Sequence, residues 1–428
     1  MEGLDIPPTI LIIGTCDTKC EELVYLRDRI LERKNCKTIL IDVGRNACLH
    51  DAIDVSNETL LRRNEPSLLP SDPLPPLPLA RAEYIRIMAK GASSYVAEMF
   101  RRRRIHGIVS VGGSSATSLA SIVMREALPV GFPKLIVSTM ASGDVKPFIE
   151  DTDITMMYSV VDITGVNSIL GRILSNAAGA IDGMTVSYHN SIFNPPKGPR
   201  QKRVAVTMFS TTTRCVDAIR LHLESQYQCE VYVFHATGAG GRTMERLIRE
   251  RKIDGVIDVT TSEIADEVVG GVLSAGPNRL AAASQMGIPQ VVSTGACDVV
   301  NFGPRDTIPD KFKDREVREH NPAVSLIRTT PAECAKIGEF ISRNIRENIC
   351  HPDLVQVMLP EGGLSSLSTP GEIFHNPQAD SVLFSTIEKG LQGTGIKVSK
   401  YPGPINSIEF AVQMANALGA MMKRLNPT

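Results

Sequence analysis

Thr9-Ile10-Leu11-Ile12-Ile13-Gly14 runs straight into Thr15-Cys16-Asp17-Thr18-Lys19. A short run that is apolar at successive positions is a strand buried on both faces, and the small polar residues after it mark a strand-to-helix turn. The same passage returns along the chain. Apolar runs at 37–43, 105–111 and 134–139 read as strands, and amphipathic stretches at 19–34, 81–104 and 115–128 read as the helices between them. Strands alternating with helices form βαβ units, so the first half is α/β, a mostly parallel sheet with helices on both faces. The Pro-rich segment 190–202 reads as a linker. Beyond it the alternation restarts, with strands at 203–209, 229–235, 253–259, 289–294 and 354–359. Two domains are expected, 1–190 and 203–428, because 428 residues are too many for one ordinary core.

The halves echo each other. Thr18-Lys19-Cys20 after the first strand returns as Thr213-Arg214-Cys215, and Ile105-His106-Gly107-Ile108-Val109 returns as Ile253-Asp254-Gly255-Val256-Ile257. Gly131-Phe132-Pro133-Lys134 has its counterpart in Gly287-Ile288-Pro289-Gln290. Three matches in one order point to an internal duplication. The stretch 45–79 has no counterpart and reads as a long surface excursion.

Composition removes several classes of function. The 46 Lys and Arg nearly cancel the 47 Asp and Glu, leaving no electrostatic reason to expect nucleic acid or an anionic membrane as partner. Arg101-Arg102-Arg103-Arg104 reads as a helix C-terminus complementing its dipole. Tryptophan is absent, and no apolar run approaches the roughly 20 residues that span a bilayer. Nine cysteines without a Cys-x-x-Cys pair, behind an acidic start, point to a reducing, cytoplasmic setting. The scattered histidines have no metal-ligand spacing, and neither a P-loop nor a Gly-x-Ser-x-Gly elbow is present.

In parallel sheets ligands bind beyond the carboxyl ends of the strands. In the first half those ends carry Gly14, Thr15, Asp17, Thr18 and Lys19, then Gly112, Gly113, Ser114 and Thr117, then Ser142 and Gly143. Small residues, hydroxyls and helix-start amides suit phosphate oxygens, and they equally suit capped turns. In the second half the ends carry Thr213 and Asp217, His235 with the glycine turn 237–241, Asp258 and Glu263, and Cys297-Asp298. Such a set can supply a nucleophile, an acid/base and oxyanion donors.

Taken together, Gly-Thr-x-Asp-Thr-Lys at 14–19, Phe-His-Ala-Thr-Gly-x-Gly-Gly-Arg-x-Met-Glu at 234–245 and Val-Asn-Phe-Gly-Pro at 300–304 resemble the family of the tomato mosaic virus resistance protein, in its N-terminal ATP-binding domain. The likeness extends to Ser138-Thr139, His320-Asn321-Pro322 and Arg328-Thr329-Thr330 and covers about 9–425. It implies two Rossmann-like domains, a homodimer, an ATP site in the first domain and, in plants, binding of a viral replication protein. Two departures stand out. Gly112-Gly113-Ser114-Ser115-Ala116-Thr117 has Ser115 and Ala116 where relatives have glycines, adding Cβ atoms where phosphate would approach and counting against ATP. Cys297 replaces an aliphatic residue beside Asp298.

The family's stand-alone fungal members are linked by resemblance to polyketide release as an α-pyrone. That implies a cytoplasmic hydrolase or cyclase acting on a synthase-bound or small-molecule acyl thioester, with no cofactor required. Cys297 and Asp298 are central in this expectation, either as nucleophile or as base. Asp217 joins them one helical turn after Thr213, His235 carries protons, and the 237–241 turn offers oxyanion N–H groups. The alternative is an ATP-binding interaction module that captures a partner protein without turnover.

Overall fold

The computed structural model describes residues 7–64, 79–193 and 200–425, and the chain divides into two compact units between Gly198 and Pro199. The first unit runs β1 (Thr9–Gly14), α1 (Cys16–Leu31), β2 (Lys37–Asp42), α2 (Asn57–Asn64), α3 (Arg81–Arg101) and β3 (Gly107–Gly112). It continues with α4 (Ser114–Ala127), β4 (Lys134–Ser138), α5 (Lys146–Ile149), β5 (Thr155–Tyr158) and α6 (Ser168–Phe193). Its five strands are all parallel in the order β2-β1-β3-β4-β5. Alternation sorts the strand residues between two cores. Ile10, Ile12, Val109 and Leu135 pack against Leu23, Leu26 and Leu174 of α1 and α6. Leu11, Ile13, Ile108 and Ile136 pack against Met88, Val96 and Leu119 of α3 and α4.

The second unit opens with β6 (Arg203–Met208), α7 (Thr213–Tyr227), β7 (Glu230–His235), α8 (Ala239–Arg249), β8 (Gly255–Thr260), α9 (Ser262–Val269), α10 (Ala281–Met286) and β9 (Gln290–Gly295). Then come β10 (Val299–Phe302), β11 (Val317–Asn321), β12 (Val324–Arg328) and α11 (Pro331–Asn348). It closes with β13 (Val355–Pro360), α12 (Pro377–Leu391), β14 (Lys397–Tyr401) and α13 (Ile408–Leu425). Its main sheet is also wholly parallel, ordered β14-β13-β9-β8-β6-β7. Counted from each unit's own first strand, both sheets read second-first-third-fourth-fifth, and the second unit's adds a sixth strand, β14. That shared order is the structural form of the sequence echo.

Three features differ from the sequence reading. Residues 190–193 of the expected linker are the last turn of α6, and 194–199 lie outside the described residues. The antiparallel sheet β10-β12-β11, inserted between β9 and β13, was not foreseen, because its short outer strand Val317–Asn321 is mostly exposed and polar. The excursion at 45–79 is partly core. Ala52, Leu60 and Leu61 are buried, and the Asn57 amide donates to the Gly44 carbonyl at 2.7 Å. No helix among the described residues is long and apolar enough to cross a membrane.

Candidate functional site

Each unit has a hollow at the carboxyl edge of its sheet. In the first unit, β1 sits between β2 and β3, so the chain leaves β1 to one side and returns on the other. The crevice at such a reversal is where open α/β sheets bind ligands. A cavity of about 300 Å³ lies there, lined by Thr15, Asp17, Thr18 and Ser115, by Arg45 and Arg81, and by an apolar wall that includes Tyr84 and Leu119. Asp42, at the end of β2, is buried and takes Cys16 N–H at 2.9 Å and Gly44 N–H at 2.7 Å, which ties the two strand ends together. Asp17 accepts from the backbone N–H groups of Arg45 and Asn46 at 3.0 and 3.1 Å. Tyr84 donates its hydroxyl to the Gly44 carbonyl, and burial raises its pKa well above the ordinary tyrosine value.

The sequence-derived phosphate residues divide. Thr15, Asp17 and Thr18 line this cavity. Lys19 turns away to the Ile163 carbonyl, and its backbone is non-helical inside α1. Thr117 is fully buried, with its hydroxyl 2.7 Å from that of Ser138, so it ties β4 to α4 and faces no ligand. A Cβ on Gly14 would run into Leu23, and one on Gly112 into Ala116, so both glycines are set by packing. Gly113 precedes α4, Ser114 begins it and is exposed, and a Cβ on Gly113 would meet only Thr139. Ser142 donates to the Thr139 carbonyl and Gly143 closes that turn, with open space around its Cα. None of Gly112, Gly113, Ser114, Ser142 or Gly143 lines the cavity.

In the second unit the four candidate catalytic residues are not brought together. Cys297 has no exposed surface and packs among Leu280, Val292, Val300 and Ile337. Its thiol lies 3.1 Å from the Thr261 hydroxyl, and burial pushes its pKa up to about 12. A thiol so placed is a small hydrophobe with a weak donor rather than a nucleophile. Asp298 is equally sealed. It accepts from Ser365 at 2.7 Å, and burial raises its pKa despite nearby Arg328. The turn that turns both inward passes through Ala296, buried at a φ of 57°. That left-handed conformation costs an L-residue about 1–2 kcal/mol.

His235 ends edge strand β7 and is exposed, stacked on Phe209 at 5.6 Å. Three strand spacings separate β7 from β9, roughly 14 Å, so His235 does not serve Cys297. Several of the oxyanion donors expected from the glycine turn are also committed, Thr237 N–H to the His235 carbonyl among them. Glu263 takes the Gly238 and Gly241 N–H groups at 2.7 and 3.0 Å. Glu263 itself belongs to a buried cluster in which Arg279, 1% exposed, pairs with Glu245, Asp258 and Glu263. The glycine turn is therefore held from within, and Asp258 and Glu263 are structural.

Of the four, Asp217 lines the hollow of this unit. This second cleft, of about 820 Å³, gathers Ser210, Thr213, Arg214 and Asp217 from the end of β6 and the start of α7. Ser366 and Thr369 come from the loop after β13, and Asn406, Ser407 and Glu409 from the segment opening α13. Asn406 stitches the cleft, donating to the Thr211 carbonyl at 2.9 Å and accepting from Cys215 N–H at 3.3 Å. Sequence reading missed this site's far wall, because it recognised neither β14 nor the loops after the fifth and sixth strands as sheet ends. It missed Arg45 and Arg81 because they flank the excursion rather than a recognised strand-to-helix turn.

The fold and these hollows define a class: a tandem parallel α/β protein with a hollow at the carboxyl edge of each unit's sheet. The chain belongs to the uncharacterised protein family UPF0261, whose N-terminal domain matches residues 8–190 and whose C-terminal domain matches 201–422. It is 43% identical over 419 residues to a UPF0261 protein of Clostridium tetani, covering 97% of this chain and 99% of that one. A UPF0261 protein of Rhizobium meliloti is 38% identical over 405 residues, covering 94% of this chain and 96% of that one. The ToMV susceptible protein tm-1(GCR26) of Solanum lycopersicum is 36% identical over 440 residues, covering 98% of this chain but 56% of the tomato protein. The chain thus spans little more than half of the tomato relative's length.

Proposed function

We propose that the chain is a nucleotide-binding protein and that its first unit takes ATP. The observation that carries this reading is the cavity at the strand reversal beside β1. Hydroxyls of Thr15, Thr18 and Ser115 and the arginine Arg81 offer donors for phosphate, beside Arg45, whose guanidinium also holds the Leu79 carbonyl, and Tyr84, Ile85 and Leu119 offer an apolar wall for a base. The Ser115 and Ala116 departures do not obstruct it. Ser115 lines the cavity, and Ala116 is packed over Gly112. Calorimetry with ATP and Mg²⁺ tests the reading. Binding that Arg81→Ala and Asp17→Ala weaken supports it, and no heat at millimolar ATP overturns it. An interaction module is the natural extension, since a tomato relative is named a ToMV resistance protein. A cytoplasmic homodimer belongs to the same reading, with light scattering as its check.

A second reading is favoured by one residue, Asp217, which lies in the larger cleft. It is the acyl hydrolase or α-pyrone cyclase suggested by the resemblance to fungal polyketide-releasing members. In this form Asp217 takes a proton from water, or from an enol of the chain itself. The freed oxygen attacks the thioester carbonyl, a C–O bond forms, and the C–S bond breaks to release a thiol that carries the proton away. Cys297 plays no part. Release of a model β-keto thioester that Asp217→Asn abolishes and Cys297→Ala leaves intact supports this reading, and absence of turnover in the parent ends it.

A further inference from the structure

The cleft of the second unit has a chemical signature independent of turnover. Arg214 is exposed on its wall and makes no hydrogen bond or ion pair among the described residues. It lies near enough to Glu409 to help the Ser407 hydroxyl, which donates to Glu409 at 2.6 Å, hold that carboxyl below its ordinary value. Two helices begin at this cleft, α7 at Thr213 and α13 at Ile408, and helix starts favour anions. Beside the cation, on the same wall, stand the Asp217 and Glu409 carboxylates among five serine and threonine hydroxyls of exposed or partly exposed residues, with no aromatic residue on the wall. Thr211, 6% exposed on the same wall, has a hydroxyl without a partner among the described residues.

At the equivalent corner of the first unit the charged side chains are spent on the protein itself, although a hollow remains beside Tyr25 and the start of α6. Lys19, the counterpart of Arg214, donates to the Ile163 carbonyl, and Glu22 accepts from Gly165 N–H at 2.9 Å. Lys19 and Glu22 are thus tied to the loop that opens α6, as the segment before Ile408 opens α13. In the second unit neither tie is made, and a cation and two carboxylates face open volume.

The geometry points to a small hydroxylated acid as the ligand of this cleft: an anionic head held by Arg214 and the start of α7, and a polyol chain held by Asp217, Glu409 and the surrounding hydroxyls. A guanidinium receives a carboxylate or phosphate in fork geometry, whereas carboxylates and hydroxyls receive sugar-like hydroxyl groups. Because Asp217 belongs to the acyl reading as well, this inference shares that reading's cleft but concerns binding alone.

The test is calorimetry on the full chain with gluconate, glucose 6-phosphate, glucose and inorganic phosphate. One acid should bind at least tenfold more tightly than both glucose and phosphate. Gluconate ahead identifies a carboxylate head, and glucose 6-phosphate ahead identifies a phosphate ester. Arg214→Met should cost the preferred acid tenfold or more, and Glu409→Gln severalfold, with circular dichroism unchanged because both side chains are exposed. Glucose or phosphate binding as well as the acids, neither acid binding, or full affinity in Arg214→Met overturns the inference. ATP titration and thioester release on the same preparation report separately on the two functional readings.

Discussion

The start of α1 and the start of α7 are the same corner of the same architecture, yet the charged side chains of one are tied to the protein and those of the other are not. In the first unit Lys19 and Glu22 clip the corner to the loop before α6, leaving one hollow beside Tyr25 and the start of α6 and another on the other side of β1, against α3 and α4. In the second unit Arg214 and Asp217 are left facing a cleft roofed by loops after β13 and β14. Duplicating a βα framework reproduces its edges. Which edge becomes a site depends on whether the local charges are spent on the protein's own backbone.

The largest test of this contrast is in the buried cluster that fixes the second unit's edge. Arg279→Met leaves Glu245, Asp258 and Glu263 without their shared cation. It should cost the second unit about 3–5 kcal/mol in urea unfolding, while the first unit keeps its stability. Next, Gly112→Ala drives a Cβ into Ala116 and should cost about 1–3 kcal/mol. Equal stability in that variant would mean the first unit's edge is looser than its packing indicates.

The units should also answer pH with opposite sign. Burial and the neighbouring His189 lower the His106 pKa to about 4, below its unfolded value, so the first unit gains stability as pH rises from about 4 to 6.5. Burial raises Asp266 to about 7 and Asp380 to about 6, so those groups hold protons in the folded state and the second unit loses stability as pH rises toward 7. Hydrogen exchange between pH 5 and 7, corrected for intrinsic rates, should show β3 and β9 moving in opposite directions. His106→Gln should flatten the first response. Parallel movement of the two strands would remove this distinction.

Smaller again is Cys297→Ala, which should cost about 1 kcal/mol for a small cavity and leave ligand binding in the cleft unchanged. In the native chain Cys350 should react with a thiol reagent and Cys297 should not, since the first is exposed and the second sealed. Gly113→Ala should be the mildest, within about 0.5 kcal/mol, because its Cβ meets only Thr139 at 3.8 Å. A large loss of ATP binding with that small stability change would mark Gly113 as a phosphate contact.

The parallel strands were legible because a strand buried on both faces has to be apolar along its length, and Thr9–Gly14 and Lys134–Ser138 satisfy that without help from context. The edge strands β5, β7, β11 and β14 have exposed and half-buried positions, and β7 alone among them was anticipated. Asp17 and Asp217 were legible as polar residues after apolar runs, and both line hollows. Cys297 and Asp298 carried the same signal and proved to be interior, as did Thr117. Sequence by itself determined two α/β units, their repeated order and the polar character of the strand ends, since these follow from local patterns of burial and turn chemistry. Tertiary structure alone decided which polar groups are spent: Glu263 on the amides of Gly238 and Gly241, Lys19 on Ile163, and Arg214 on no hydrogen bond or ion pair among the described residues. A buried polar group takes whichever partner the fold brings within hydrogen-bond reach, and that partner is distant in the chain.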